Sequence, residues 1–206
     1  MLIRCFLFLR RVAALLIAGV SLAHAHHVMD YAMPVTALDG FLSGLGHPVI
    51  GVDHLLFIAG AGILAAPLRR GFLLPLVFVV ASMVAAAARV GGADWSMSES
   101  WIALSLIALG GLMLAARDPK RSWVAGLFLA SGALHGYALA ESIVGAERTP
   151  LLAYFAGLTV IQCAVALAAW AAAAWLAAHR PQLPVQRIVG AAIGAAGLIF
   201  AGLATL

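Results

Sequence analysis

From residue 48 onward the chain alternates long apolar runs with short polar clusters. Six runs stand out: Pro48–Ala66, Gly71–Val90, Trp101–Ala116, Trp123–Ala140, Leu151–Ala178 and Ile188–Leu206. A helix crosses a bilayer with about 20 apolar residues, and these runs are of that order. They are continuous and rich in Ala and Leu, whereas barrel strands alternate. The pattern therefore predicts an all-α, polytopic membrane helix bundle with six transmembrane helices. Composition agrees, with 65% hydrophobic and 10% charged residues, far less charge than a soluble domain carries.

The first 25 residues form a separate unit. Arg4, Arg10 and Arg11 make a basic start, Val12–Leu22 is apolar, and Ala23-His24-Ala25 is a small-x-small cleavage pattern. This is the order of a signal peptide, so residues 1–25 are expected to be removed, leaving one transmembrane helical domain over 26–206. The alternatives are an uncleaved anchor and cleavage after Ala23. Three of the twelve Lys+Arg leave with the signal, and nine remain against eight Asp+Glu. The basic balance is thus no argument for a nucleic-acid partner. Cys5 leaves as well, and Cys163 stands alone in an apolar run, so the mature chain forms no internal disulfide.

Cleavage puts the mature N-terminus outside the inner (cytoplasmic) membrane. Threading the runs alternately then places Arg69, Arg70, Arg117, Lys120, Arg121, Arg180 and Arg187 in the cytoplasm, and only Arg89 and Arg148 outside. That agrees with the positive-inside rule, and both termini come out periplasmic. Gly190, Gly194 and Gly197, with the Ala-rich fifth run, offer smooth faces for close helix packing in lipid; a homo-oligomer is compatible with them. Ahead of the first span, the glycine-broken segment Val35–Gly46 reads as an interfacial or re-entrant segment, or as a plain surface helix.

The chemistry lies in GHPVIGVDHLLF, Gly46–Phe57. Pro48 suits the first turn of a helix, which sets His47 at or just before its start. His47 and His54 are seven residues apart, about 10 Å of rise on nearly the same face, while Asp53 points roughly 100° away. On a regular helix they are successive stations for an ion; an irregular start would bring His47 inward. An Asp deep in a span costs about 2.5–3.5 kcal/mol on insertion scales, and intramembrane ionisable groups mark functional sites. The plainer alternative is an Asp–His pair stapling two helices.

The fourth run ends LHGYALAES, with His135 and Glu141 at comparable depth. Imidazole and carboxylate together suit first-row divalent metals. Glu141 reads alternatively as a helix end facing water. Met83, Met97 and Met113 read as packing, Gln162 as an interhelical hydrogen bond, and Asp94 and Glu99 as vestibule or solvated charges. His26 and His27 form a short tract able to gather metal at the surface.

HPVIGVDHLLF resembles the HupE/UreJ family of small membrane proteins, whose first span carries His, five residues, then Asp-His. The order of features matches along nearly the whole mature chain, through LPLVFVVASM, SESWIALSLIALGGLML, HGYALAESIVGAE and TPLLAYFAGLTVIQ. The resemblance implies a nickel or cobalt permease associated with hydrogenase, urease or cobalamin metabolism, with His47, Asp53 and His54 handling the metal. The second motif departs from the usual His-Gly-x-Ala-His-Gly-x-Glu: Leu139 replaces the second His, and Ser142 holds the Glu position, with Glu141 one place earlier. A related subgroup reads HGYA-x-GE-x-IVGAE, which fits this chain better.

The favoured reading is a non-enzymatic, secondary permease for a divalent transition metal, nickel or cobalt ahead of zinc or copper, moving from periplasm to cytoplasm through a site of His47, Asp53, His54, His135 and Glu141. No G-x-x-x-x-G-K-[ST] loop suggests an ATP engine. The alternatives are an intramembrane zinc-dependent hydrolase and a membrane subunit that donates metal to a metalloenzyme.

Overall fold

The computed structural model describes residues 33–95, 99–115 and 119–204. The expected signal peptide, His26, His27, Met97 and Arg117 lie outside the described residues. Within them every regular element is helical: α1 (Ala37–Ile50), α2 (Val52–Ala65), α3 (Leu74–Val90), α4 (Glu99–Ala115), α5 (Arg121–Ala140), α6 (Arg148–His179) and α7 (Val185–Leu203). Short 3₁₀ turns, Gly71–Leu73 and Glu141–Ile143, precede α3 and follow α5.

Among the described residues four helices are long and apolar enough to cross a membrane: Gly71–Val90, Arg121–Ile143, Arg148–His179 and Val185–Leu203. A fifth crossing counts α1 and α2 as one span bent by 80°. The apolar helix α4 has 17 residues. The chain is thus a multi-pass membrane protein, with four or five candidate spans where the hydropathy pattern predicts six.

The first predicted span is corrected in detail. Pro48 does not open it but lies in the last turn of α1. Helix begins earlier, because Thr36 and Asp39 form a reciprocal capping box: the Asp39 N–H donates to Thr36 Oγ1 at 3.1 Å and the Thr36 N–H to Asp39 Oδ2 at 3.1 Å. It then breaks at Gly51, whose extended backbone (φ −70°, ψ 96°) caps both helices. The segment read as interfacial, re-entrant or a plain surface helix is a regular helix packed along α6, and with α2 it forms a bent pair of the kind found in a broken span or a re-entrant loop.

Three pairings build the bundle: α1 along α6, α3 along α5, and α4 along α7. α2 packs on α6 below α1. Small residues set these distances, as expected where lipid supplies no hydrophobic drive between helices. A Cβ on Gly44 would stand 2.9 Å from the Leu158 amide nitrogen, and Gly110 lies against the backbone of Gly190 and Gly194. At one end the α2–α3 connection meets the start of α5, where Arg121 Nη1 donates to the Arg69 carbonyl at 2.7 Å. The opposite end carries His47 and the α5–α6 junction.

The largest buried cluster lies between them. Phe57, Phe78 and Phe128 are fully buried there. The Phe57 and Phe78 rings stack at 5.1 Å, with Phe128 edge-on to Phe57 at 6.3 Å.

Candidate metal site

The break at Gly51 decides where the motif residues go. His47 sits one turn before it on α1, while Asp53 and His54 open α2 just after it. The bend folds the two imidazoles toward each other, with ring centroids 6.4 Å apart in a T-shaped arrangement. On a straight helix they would be about 10 Å apart along the axis. Two imidazoles sharing one ion, each nitrogen about 2.0–2.1 Å from it, would stand slightly closer.

Gly51 leaves a niche between these groups. An ideal Cβ there would lie 2.7 Å from His54 Cδ2, 3.3 Å from Asp53 Oδ1 and 3.4 Å from the His47 carbonyl oxygen. A ring carbon of His54, a carboxylate oxygen and a carbonyl oxygen border the space that glycine leaves. Asp53 is half-buried in the first turn of α2 and accepts from the His54 N–H at 2.8 Å. A carboxylate is favoured there by the exposed amides and dipole of the helix N-terminus, which offsets part of its insertion cost.

Each imidazole is held from behind. His47 Nδ1 lies 2.9 Å from the Tyr154 hydroxyl and 3.0 Å from Ser142 Oγ. Tyr154 donates to the Leu139 carbonyl at 2.5 Å. His54 Nδ1 lies 2.7 Å from His135 Nδ1, and His135 Nε2 lies 2.9 Å from Ser105 Oγ. His135 is completely buried, with the Phe57 and Phe78 rings at 4.8 and 5.6 Å.

His47, Asp53, His54 and His135 thus come into one region. Glu141 does not join them: its side chain is exposed and lies 4.0 Å from Arg89 Nη2. The 3₁₀ turn after Ala140 rotates the chain so that Ser142, not Glu141, meets His47. Among the described residues no three His, Cys, Asp or Glu side chains converge closely enough to cage a metal ion.

The secondary candidates fall as follows. Gln162 bonds across helices to Ser82 Oγ at 3.1 Å. Met83 Sδ lies 3.1 Å from Thr159 Oγ1, and Met113 is core. Asp94 pairs with Arg89 at 3.6 Å, beside a Tyr137 ring that Arg89 covers at 5.0 Å. Glu99 is an exposed residue at the start of α4. The sequence pattern did not single out Ser105 or Tyr154, and Ser142 entered only as the residue at the Glu position of the family pattern. The one signal for Tyr154 is a phenol in an apolar helix, since a buried hydroxyl needs a partner.

Comparison with known proteins gives the same direction. The family model described as "HupE / UreJ protein" matches residues 12–200. The chain is also similar to "Protein HupE" of Rhizobium leguminosarum bv. viciae, at 29% identity over 184 residues, covering 86% of this chain and 88% of that protein. No solved structure matches.

Proposed function

The chain belongs to the HupE/UreJ family, and from that premise we propose that it is a secondary permease carrying a divalent transition metal, nickel or cobalt, from periplasm to cytoplasm. One observation carries the reading. His47, Asp53 and His54 border a single niche at a helix break, two of them on opposite sides of the bend. Broken helices of this kind place backbone and side-chain ligands at cargo sites in secondary transporters. Imidazole nitrogen with carboxylate and carbonyl oxygen is a ligand mixture that first-row divalent cations accept.

The cargo enters at the end where Asp94 and Glu141 lie beside Arg89, then meets His47 and the Gly51 niche. His135 backs His54. A negative-inside potential favours a dication's entry by about 4.6 kcal/mol per 100 mV, from two charges at about 2.3 kcal/mol each. That supplies a drive without ATP.

The test is radiolabelled nickel uptake in cells lacking other nickel importers, with cobalt as competitor, comparing wild type with Asp53→Ala at equal membrane abundance. Uptake should depend on Asp53. Background uptake in both would overturn nickel import.

A further inference from the structure

Two imidazole nitrogens cannot both donate, or both accept, across one hydrogen bond. The short His54 Nδ1–His135 Nδ1 contact therefore has a direction, and that direction decides which nitrogen of His54 can face a cation. Ser105 sets it. Its hydroxyl has one hydrogen, and Oγ lies 2.7 Å from the carbonyl oxygen of Ile102, three residues back on α4. A carbonyl only accepts, so the Ser105 hydrogen is committed to Ile102. Towards His135, Ser105 Oγ then accepts, and His135 Nε2 carries the proton across the 2.9 Å contact.

A neutral imidazole carries one N–H. With Nε2 protonated, His135 Nδ1 is a lone pair, and His54 Nδ1 donates to it at 2.7 Å. His54 Nε2 is then the bare nitrogen. It is bonded to Cδ2, the His54 atom nearest the Cβ position of Gly51.

We propose that Ser105 is a positioning residue for the cargo: through His135 it fixes the tautomer of His54, so that Nε2 keeps its lone pair for a cation. This rests on the permease reading for the identity of the cargo, but the tautomer itself does not. His135 accordingly orients rather than ligates, since both of its nitrogens are engaged. If Ser105 donated to His135 instead, every bond in the row would reverse, and His54 would present an N–H to the cation. Ser105 is buried, and His135 is fully enclosed between phenylalanine rings, so water offers no ready substitute for the missing partner. Outer partners of metal-binding histidines are worth about 10–100-fold in metal affinity.

The experiment uses the full chain, 15N-labelled at histidine and reconstituted in lipid without metal. Solid-state NMR reads both ring nitrogens of His54, assigned by difference from His54→Asn. The expected result is a protonated Nδ1 and a bare Nε2 in wild type. In Ser105→Ala that order is lost, and nickel affinity by titration falls about 10–100-fold; Ser105→Thr, which keeps the hydroxyl, restores both. A protonated His54 Nε2 in wild type overturns the proposal without any variant. So does an unchanged tautomer in a folded Ser105→Ala. Correct tautomers and nickel binding without flux in vesicles would leave the positioning role standing and remove the permease reading.

Discussion

Adding one methyl group at the helix break tests the niche directly. In Gly51→Ala the new Cβ would stand 2.7 Å from His54 Cδ2, against about 3.5–4.0 Å for comfortable carbon–carbon contact. The backbone itself does not object, because φ −70° and ψ 96° are open to alanine. The effect therefore falls chiefly on the His54 ring, which must retreat by roughly 1 Å to reach that contact distance. Retreat disturbs the 2.7 Å bond to His135. Overpacking of this kind costs about 1–3 kcal/mol. Taken from the bound state, that is about a 5- to 150-fold loss of nickel affinity, at 1.4 kcal/mol per tenfold. Calorimetric nickel titration of protein in nanodiscs measures it. Gly111→Ala is the control, since nothing lies within 4 Å of its Cβ. Wild-type affinity in a folded Gly51→Ala would refute the placement of the cation at this niche.

Tyr154→Phe removes the hydroxyl between His47 and the Leu139 carbonyl, leaving a buried acceptor unpaired. Thermal or denaturant unfolding should show a loss of about 1–3 kcal/mol, together with weaker nickel binding. Glu141→Gln and Ser142→Ala should separate clearly. The first removes an exposed charge, so uptake should fall modestly and mainly at low salt; the second removes a direct contact with His47 and should lower nickel affinity at any salt. Ser142→Glu restores the carboxylate that the family pattern has at this position, and should bind nickel more tightly in the same titration.

The apolar runs were legible because lipid selects for apolar side chains on every face and charges mark the ends. α3, α5, α6 and α7 accordingly fall within a few residues of their runs. Hydropathy is blind to backbone dihedrals, so the run from Pro48 to Ala66 gave no sign of the break at Gly51 or of α1 continuing through Pro48. His47, Asp53 and His54 stood out because ionisable groups are conspicuous among Leu and Ala. Ser105 and Ser142 did not, since a serine in a helix can satisfy itself on a carbonyl three or four residues back. Glu141 drew attention through its charge. Only the 3₁₀ turn at Glu141–Ile143, one residue of rotation, moved the contact with His47 to its neutral neighbour.

The phenylalanines beneath His135 bear on the cell's energy as well as on packing. Phe57, Phe78 and Phe128 pack beneath the imidazoles as rings that offer an ion no ligand, and apolar constrictions shed water. Such a layer is an insulator. If the protein carries cargo as proposed, the rings must part for each ion and close behind it, so passage is counted in single events and never as a current. On that reading protons and sodium would find no standing leak, and a membrane holding many copies would keep the voltage that draws the metal in.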